Sequence, residues 1–297
     1  MLALEPKVRV QLKNILFATD FSRESEDALP HAVELARHFG GTVHALHVRP
    51  PMPYPMVPPN SWTVLEEVVE AQERERMNNL FAPFPEIQHD FRTVRGDLWP
   101  SIESEIKESQ IDLLVIGTRG RTGLGKLLLG SSAEEILRLA HCPVLTVGPL
   151  SPSQPPADGK FSEILYATDF TDDSLAALSY AISLAQEYQA RLTLLHVIES
   201  WRAGDFVRPR DLEAAMLRRL QALVPADAGL WCEPWFMVTQ GSPADQILAI
   251  ATERGADLVV LGVRRPSGVP GASTHLPIAT AHKVVSHASC PVLTIRG

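Results

Sequence analysis

Glycine, serine and basic side chains concentrate in one stretch, Gly117-Thr-Arg-Gly120-Arg-Thr-Gly-Leu-Gly-Lys126-Leu-Leu-Leu-Gly130-Ser131-Ser132. An apolar run, Asp112-Leu-Leu-Val-Ile116, precedes it and reads as a buried parallel strand. Ala133-Glu-Glu-Ile-Leu-Arg-Leu-Ala140 follows and reads as a helix. Glycines let a backbone approach a ligand closely and take positive φ. A helix start offers unpaired N–H groups at the positive end of its dipole. The combination suits a phosphate, and Arg119, Arg121 and Lys126 add positive charge. Two familiar phosphate loops fail on detail. Gly120 to Lys126 fits G-x-x-x-x-G-K, but Leu127 then stands where a hydroxyl would hold Mg²⁺. Gly123-Leu-Gly125 lacks the third glycine of G-x-G-x-x-G, because Leu128 occupies its place. The spacing that fits is G-x2-G-x9-G-[ST], on Gly117, Gly120, Gly130 and Ser131. A purely structural reading stands beside the chemical one: the glycines shape a turn, and Ser132-Ala-Glu-Glu135 forms a capping box at the helix start.

The elements that must position this loop occur twice. Ile15-Leu-Phe-Ala-Thr-Asp-Phe-Ser22 returns as Ile164-Leu-Tyr-Ala-Thr-Asp-Phe-Thr171, His47-Val48 as His196-Val197, Asp112–Arg119 as Asp257–Arg264, and Cys142-Pro-Val-Leu-Thr146 as Cys290-Pro-Val-Leu-Thr294. Four blocks in one order at near-constant spacing mark two copies of one domain, each far too long for a solenoid repeat. The expected boundaries are residues 1–148, a Pro- and Ser-rich linker at 149–160, and residues 161–297. In the first copy, strands are predicted over Lys13–Thr19, Thr42–Val48, Gln88–Arg95 and Pro143–Val147, besides the one before the glycine loop. Helices are predicted from Ser22 to about Phe39, over Trp62–Leu80 and over Leu98–Gln110. Pro30 should kink the first of these helices, and Pro100 lies in the first turn of the third. The prolines between Pro50 and Pro59 read as an exposed polyproline-like loop. Alternating strands and helices imply an α/β fold with a mainly parallel sheet and helices on both faces.

Composition narrows the function. At 297 residues, 45% hydrophobic and 21% charged, the chain has room for two globular domains. No apolar run reaches membrane-spanning length, and the N-terminus lacks the apolar core of a signal peptide. Three cysteines make no disulfide framework, which points to a cytoplasmic protein. A net charge of −8 disfavours nucleic acid as a partner. His44 and His47, three apart on a strand, face opposite ways and make a poor metal chelate. The Glu67–Arg76 charges read as a solvated helix face. Cys142 and Cys290 read as small buried hydrophobes. No arrangement of nucleophile and base shows itself, so no catalytic residue and no metal ligand is assigned.

The strand-one ending Ala-Thr-Asp-Phe-Ser, the strand-two ending His-Val, the glycine loop and the final Cys-Pro-Val-Leu-Thr together resemble the universal stress protein family, and the chain resembles a tandem member. The resemblance implies two doubly wound domains, each a five-stranded sheet in the order 3-2-1-4-5. Strands one and four are then neighbours at a topological switch point. By matching positions, it implies an adenine-nucleotide site on Thr19, Asp20, Val48, Ile116, Gly117, Arg119, Gly120, Gly130, Ser131 and Ser132. Asp20 would hold a ribose hydroxyl or, alternatively, cap the following helix. Val48 and Ile116 would flank adenine, or be ordinary core. The implied ligand is ATP, with ADP and AMP open and Mg²⁺ as a companion ion. The implied role is stress response and regulation, with a slow ATPase and a nucleotide-free scaffold as rivals. The resemblance also implies a homo-oligomer, a dimer of tandem chains. It further implies that Pro143–Val147 pairs antiparallel with Pro291–Ile295, leaving Cys142 and Cys290 at opposite ends, beyond disulfide reach.

The two copies differ where phosphate would bind. The second keeps Thr168, Asp169, Val197 and Gly262, but Arg265 replaces Gly120, and Ile278-Ala279-Thr280 replace Gly130-Ser131-Ser132. The expected stoichiometry is one nucleotide per chain, on the first copy.

Overall fold

The computed structural model describes residues 10–51, 62–118, 129–199, 209–225, 228, 230, 233–263 and 275–296. Arg119, Gly120, Lys126, most of the proline-rich loop, Arg264 and Arg265 lie outside them. In the first copy, strands β1 (Asn14–Ala18), β2 (Thr42–Arg49), β3 (His89–Arg95), β4 (Leu113–Gly117) and β5 (Val144–Val147) alternate with helices α1 (Arg23–Glu26), α2 (Leu29–Phe39), α3 (Trp62–Phe81), α4 (Leu98–Glu108) and α5 (Ser131–Leu139). The second copy runs β6 (Glu163–Ala167), α6 (Asp172–Tyr188), β7 (Arg191–Ile198), α7 (Pro209–Gln221), β8 (Trp235–Gln240), α8 (Pro243–Arg254), β9 (Leu258–Gly262), α9 (His275–His287) and β10 (Val292–Ile295). Both copies take the order 3-2-1-4-5, and they join into one ten-stranded sheet, β3-β2-β1-β4-β5-β10-β9-β6-β7-β8.

Central strands such as β4 and β6 are buried along nearly their whole length, as strands covered on both faces must be. One apolar layer gathers residues of α2, α3, α6 and α7; the other gathers residues of α4, α5, α8 and α9. The chain leaves β1 toward the first layer and β4 toward the second, which opens a crevice between their carboxyl ends.

The first helix differs from expectation. Instead of one kinked helix there are two: α1 ends at Glu26, and α2 begins at Leu29 with Pro30 in its first turn. Pro30 has no N–H to give the Glu26 carbonyl. In the second copy Ser179 takes the matching place, and α6 runs unbroken for 17 residues. The capping box at Ser132 is not formed either. Helix α5 starts two residues earlier, at Ser131, with Gly130 as its N-cap and no side-chain cap hydrogen bond.

The seam between the copies is antiparallel, pairing Val292 with Thr146, Leu293 with Leu145 and Thr294 with Val144. Thr146 Oγ1 donates to the Val292 carbonyl at 3.1 Å, and Thr294 Oγ1 returns the bond to Val144 at 3.2 Å. The register puts Cys142 and Cys290 at opposite ends, both free. Cys290 is buried, and Cys142 is half-buried against the same apolar layer. Further contacts flank the seam: the His38 ring stacks on Tyr188 at 4.0 Å, and the Arg296 guanidinium donates to the Arg138 and Leu137 carbonyls at the end of α5. All pairing within each copy is parallel, so the antiparallel seam turns the carboxyl ends of the two half-sheets to opposite edges.

Candidate functional site

The turn after β1 is built from its own side chains. Thr19 Oγ1 accepts the Phe21 N–H at 2.9 Å and lies 2.9 Å from Ser25 Oγ. Asp20 Oδ1 accepts the N–H and the hydroxyl of Ser22, at 3.0 and 2.6 Å. Ser22 in turn caps α1. These bonds hold Phe21 at φ 60°, a conformation unusual for a bulky residue. His47 Nδ1–H donates to the Thr19 carbonyl at 2.7 Å, its ring 4.5 Å from that of Phe21, and the Arg76 guanidinium covers Phe21 at 4.4 Å. The second copy repeats the device with Thr168, Asp169, Phe170 at φ 61°, Thr171, His196 and Arg219. Asp20 is not the helix cap: its carboxylate organises the turn, and Ser22 is the cap.

Across the crevice, β4 ends at Gly117. A Cβ there would stand 2.3 Å from the Glu24 carbonyl oxygen, so α1 packs on bare backbone. The Thr118 N–H donates to Val147, and the Thr118 carbonyl accepts from the Gly130 N–H at 2.9 Å, closing the base of the glycine loop. Gly130 sits at φ −65°, ψ 147°, so its dihedrals do not demand glycine. Ser131 and Ser132 follow in the first turn of α5, where N–H groups have no intrahelical acceptor.

Thr19, Asp20, Val48, Ile116, Gly117, Gly130, Ser131 and Ser132 all line one cleft of about 640 Å³. Ile116 is buried core, and Val48 is half-buried against the same apolar layer. Of the ten residues expected here, Arg119 and Gly120 lie outside the described residues.

The cleft also holds residues that sequence reasoning did not place there: His47, Arg49, Glu73, Arg95 and Thr118. Helix α3 is not solvated along its whole charged face. Glu73 is 9% exposed and sits in line with buried Met77 and Phe81, at the i, i+4, i+8 spacing that gave the available signal. Its Oε2 lies 3.4 Å from Arg49 Nε and its Oε1 3.7 Å from His47 Nε2. Arg49 also bonds Glu70 at 3.2 Å, and Arg95 bonds Glu66 at 2.7 Å. Near the turn, burial raises the Glu26 carboxyl, with Arg76 opposing. His44 goes elsewhere, to Asp90 at 3.1 Å.

In the second copy the helix start is displaced. Ile278, Ala279 and Thr280 lie within α9, which already includes His275, whereas Gly130 precedes α5. Thr280 is therefore an interior helical residue rather than a helix-start hydroxyl.

Among the described residues no helix is long and apolar enough to cross a membrane. A family model, the universal stress protein family, matches residues 11–148 and again 160–296. A universal stress protein of Methanocaldococcus jannaschii is 33% identical over 138 residues, 46% of this chain and 81% of its own. A universal stress protein A homolog of Coxiella burnetii is 33% identical over 140 residues, 46% of this chain and 95% of its own. A universal stress protein structure from Archaeoglobus fulgidus superposes with a TM-score of 0.68 at 21% identity, covering 95% of this chain and 98% of that one.

Proposed function

Since this chain belongs to the universal stress protein family in both of its halves, we propose that it is a stress-response protein whose first copy binds an adenine nucleotide, with ATP favoured over ADP and AMP. The observation that carries this reading is the cleft itself: a helix N-terminus with two serines faces the β1 turn across a crevice of nucleotide size at the topological switch point. The N–H groups of Ser131 and Ser132 and their hydroxyls would donate to phosphate oxygens, helped by the helix dipole. Val48 and Ile116 offer an apolar slot for the base. The Asp20 carboxylate, which holds the turn through Ser22, would also accept from a ribose hydroxyl. Arg119, Gly120 and Lys126 belong to the same proposed site, and Mg²⁺ would be brought by the phosphates. A cytoplasmic setting is part of the reading; burial pushes the free thiols of Cys142 and Cys290 up to about 11 and about 12, which keeps them unreactive there.

The test is direct. Denaturing freshly purified protein and weighing what is released should give an adenine nucleotide. Titrating the stripped protein with ATP should give one site per chain. Two equivalent sites, or none, would overturn the reading.

A further inference from the structure

Three polar side chains lining the first cleft carry buried atoms with no hydrogen-bond partner among the described residues: Arg49 at Nε and Nη1, Glu73 at Oε2 and Thr118 at Oγ1. Arg49 and Glu73 are close enough to attract, at 3.4 Å, but not aligned to bond, and each side chain is only 12% exposed. Thr118 is 2% exposed. A desolvated polar atom without a partner destabilises a fold.

The second copy shows what the scaffold does without these groups. Val263 takes the place of Thr118, and donates its N–H to Ile295 as Thr118 does to Val147. Ile198 takes the place of Arg49, at the same step of the β7–β8 register. Met216 takes the place of Glu73, three residues before the arginine that covers the turn phenylalanine, and packs on the apolar core. Each replacement is apolar and of similar size. A buried ion pair exchanged for apolar residues is commonly neutral or stabilising, so the architecture does not call for the polar versions. They occur together in the copy whose glycine loop is intact.

We propose that Thr118, Arg49 and Glu73 are ligand contacts, and that the Arg49–Glu73 fork reads a nucleobase edge presenting an acceptor beside a donor. The proposal rests on the nucleotide reading above. Phosphates drawn to α5 lie on the β4 side of the crevice, and Arg49 and Glu73 lie across β1, on β2 and α3, where the other end of the ligand must fall. On adenine, N1 accepts from Arg49 and the 6-amino group donates to Glu73 Oε2. Thr118, beside Gly117 and bonded through its carbonyl to Gly130, donates to a sugar or phosphate oxygen.

The experiment titrates the stripped full chain with ATP and with purine riboside triphosphate, which lacks the 6-amino group. It is repeated on Thr118→Val and on the double variant Arg49→Ile/Glu73→Met, which imports the second copy's residues and strands no lone charge. Wild type should lose roughly 10- to 150-fold in affinity with the amino group, the range for a bond to a charged partner. The double variant should bind ATP weakly and no longer distinguish the two nucleotides. Thr118→Val should weaken both alike, by roughly 2- to 10-fold, without lowering the melting temperature of the unliganded protein. A wild type that treats the nucleotides alike overturns the base reading, whether or not the variants fold. Variants matching wild type for ATP overturn the contacts and leave nucleotide binding standing. A wild type that binds neither nucleotide removes the function and this proposal together.

Discussion

Glycines 117 and 130 belong to one sequence pattern but answer to different physics. Gly117 is required by packing, since α1 leaves no room for a Cβ, and Gly262 repeats the requirement with the Asp173 carbonyl oxygen 2.4 Å from its Cβ position. Gly117→Ala and Gly262→Ala should each destabilise the protein by about 1–3 kcal/mol in denaturant unfolding, the usual cost of overpacking. A silent Gly262→Ala would show that the close approach relaxes freely. The dihedrals of Gly130 do not demand glycine, and Gly130→Val should act on nucleotide affinity, by crowding the phosphate in the proposed site. In the proposed site Ser131→Ala would remove a bond to a charged group and should weaken nucleotide binding by roughly 10- to 150-fold. Unchanged calorimetric affinity in both variants would remove this residue pair from the site. The glycine spacing was legible in the sequence. Which glycine serves helix packing was not, because Glu24 reaches Gly117 only through the crossover from β1.

Among the elements, strands and most helices were legible from apolar runs and punctuation, and two helices were not fully so. On α3 the polar majority hid a narrow buried stripe, Glu73-Met77-Phe81, whose uppermost member is charged. An acidic residue on a buried stripe reads as surface until a partner such as Arg49 arrives from another strand. On the first helix, Pro30 was read as a kink and the structure has a break. Pro30→Ser copies the second copy's residue and restores an N–H donor one turn after Glu26. It should join α1 to α2 and slow amide exchange at residues 27–29. Exchange as fast as in wild type would mean that the break is set by packing rather than by the missing donor.

For the whole molecule, the repeated blocks made the duplication legible, and the family resemblance, not the residues themselves, pointed to the β5–β10 seam. The contacts beside the seam, His38 on Tyr188 and Arg296 on the end of α5, follow no local pattern and were not. One such long-range contact gives a pH dependence. His31, 4% exposed, donates Nε2–H to the Pro152 carbonyl in the segment joining the copies, at 2.9 Å. Burial lowers its pKa below the usual 6.5, with the Pro152 bond and Asp27 opposing. The folded state therefore binds fewer protons than the unfolded state in the window below pH 6.5. The contribution is complete above about pH 6.5 and declines as the pH falls toward the folded pKa. His31→Gln should flatten the denaturant midpoint over that window. An equal slope in wild type and variant would assign the acid sensitivity to other groups.

The antiparallel seam has one more consequence. Because the half-sheets run in opposite directions, the mouth of the first cleft and the carboxyl ends of β6 and β9 in the second copy lie on opposite rims of one sheet. A flat body that covers one rim leaves the other in solvent. The duplication thus yields a two-headed particle in which the proposed nucleotide site opens on one rim and the strand end that leads into the altered loop of the second copy faces the other.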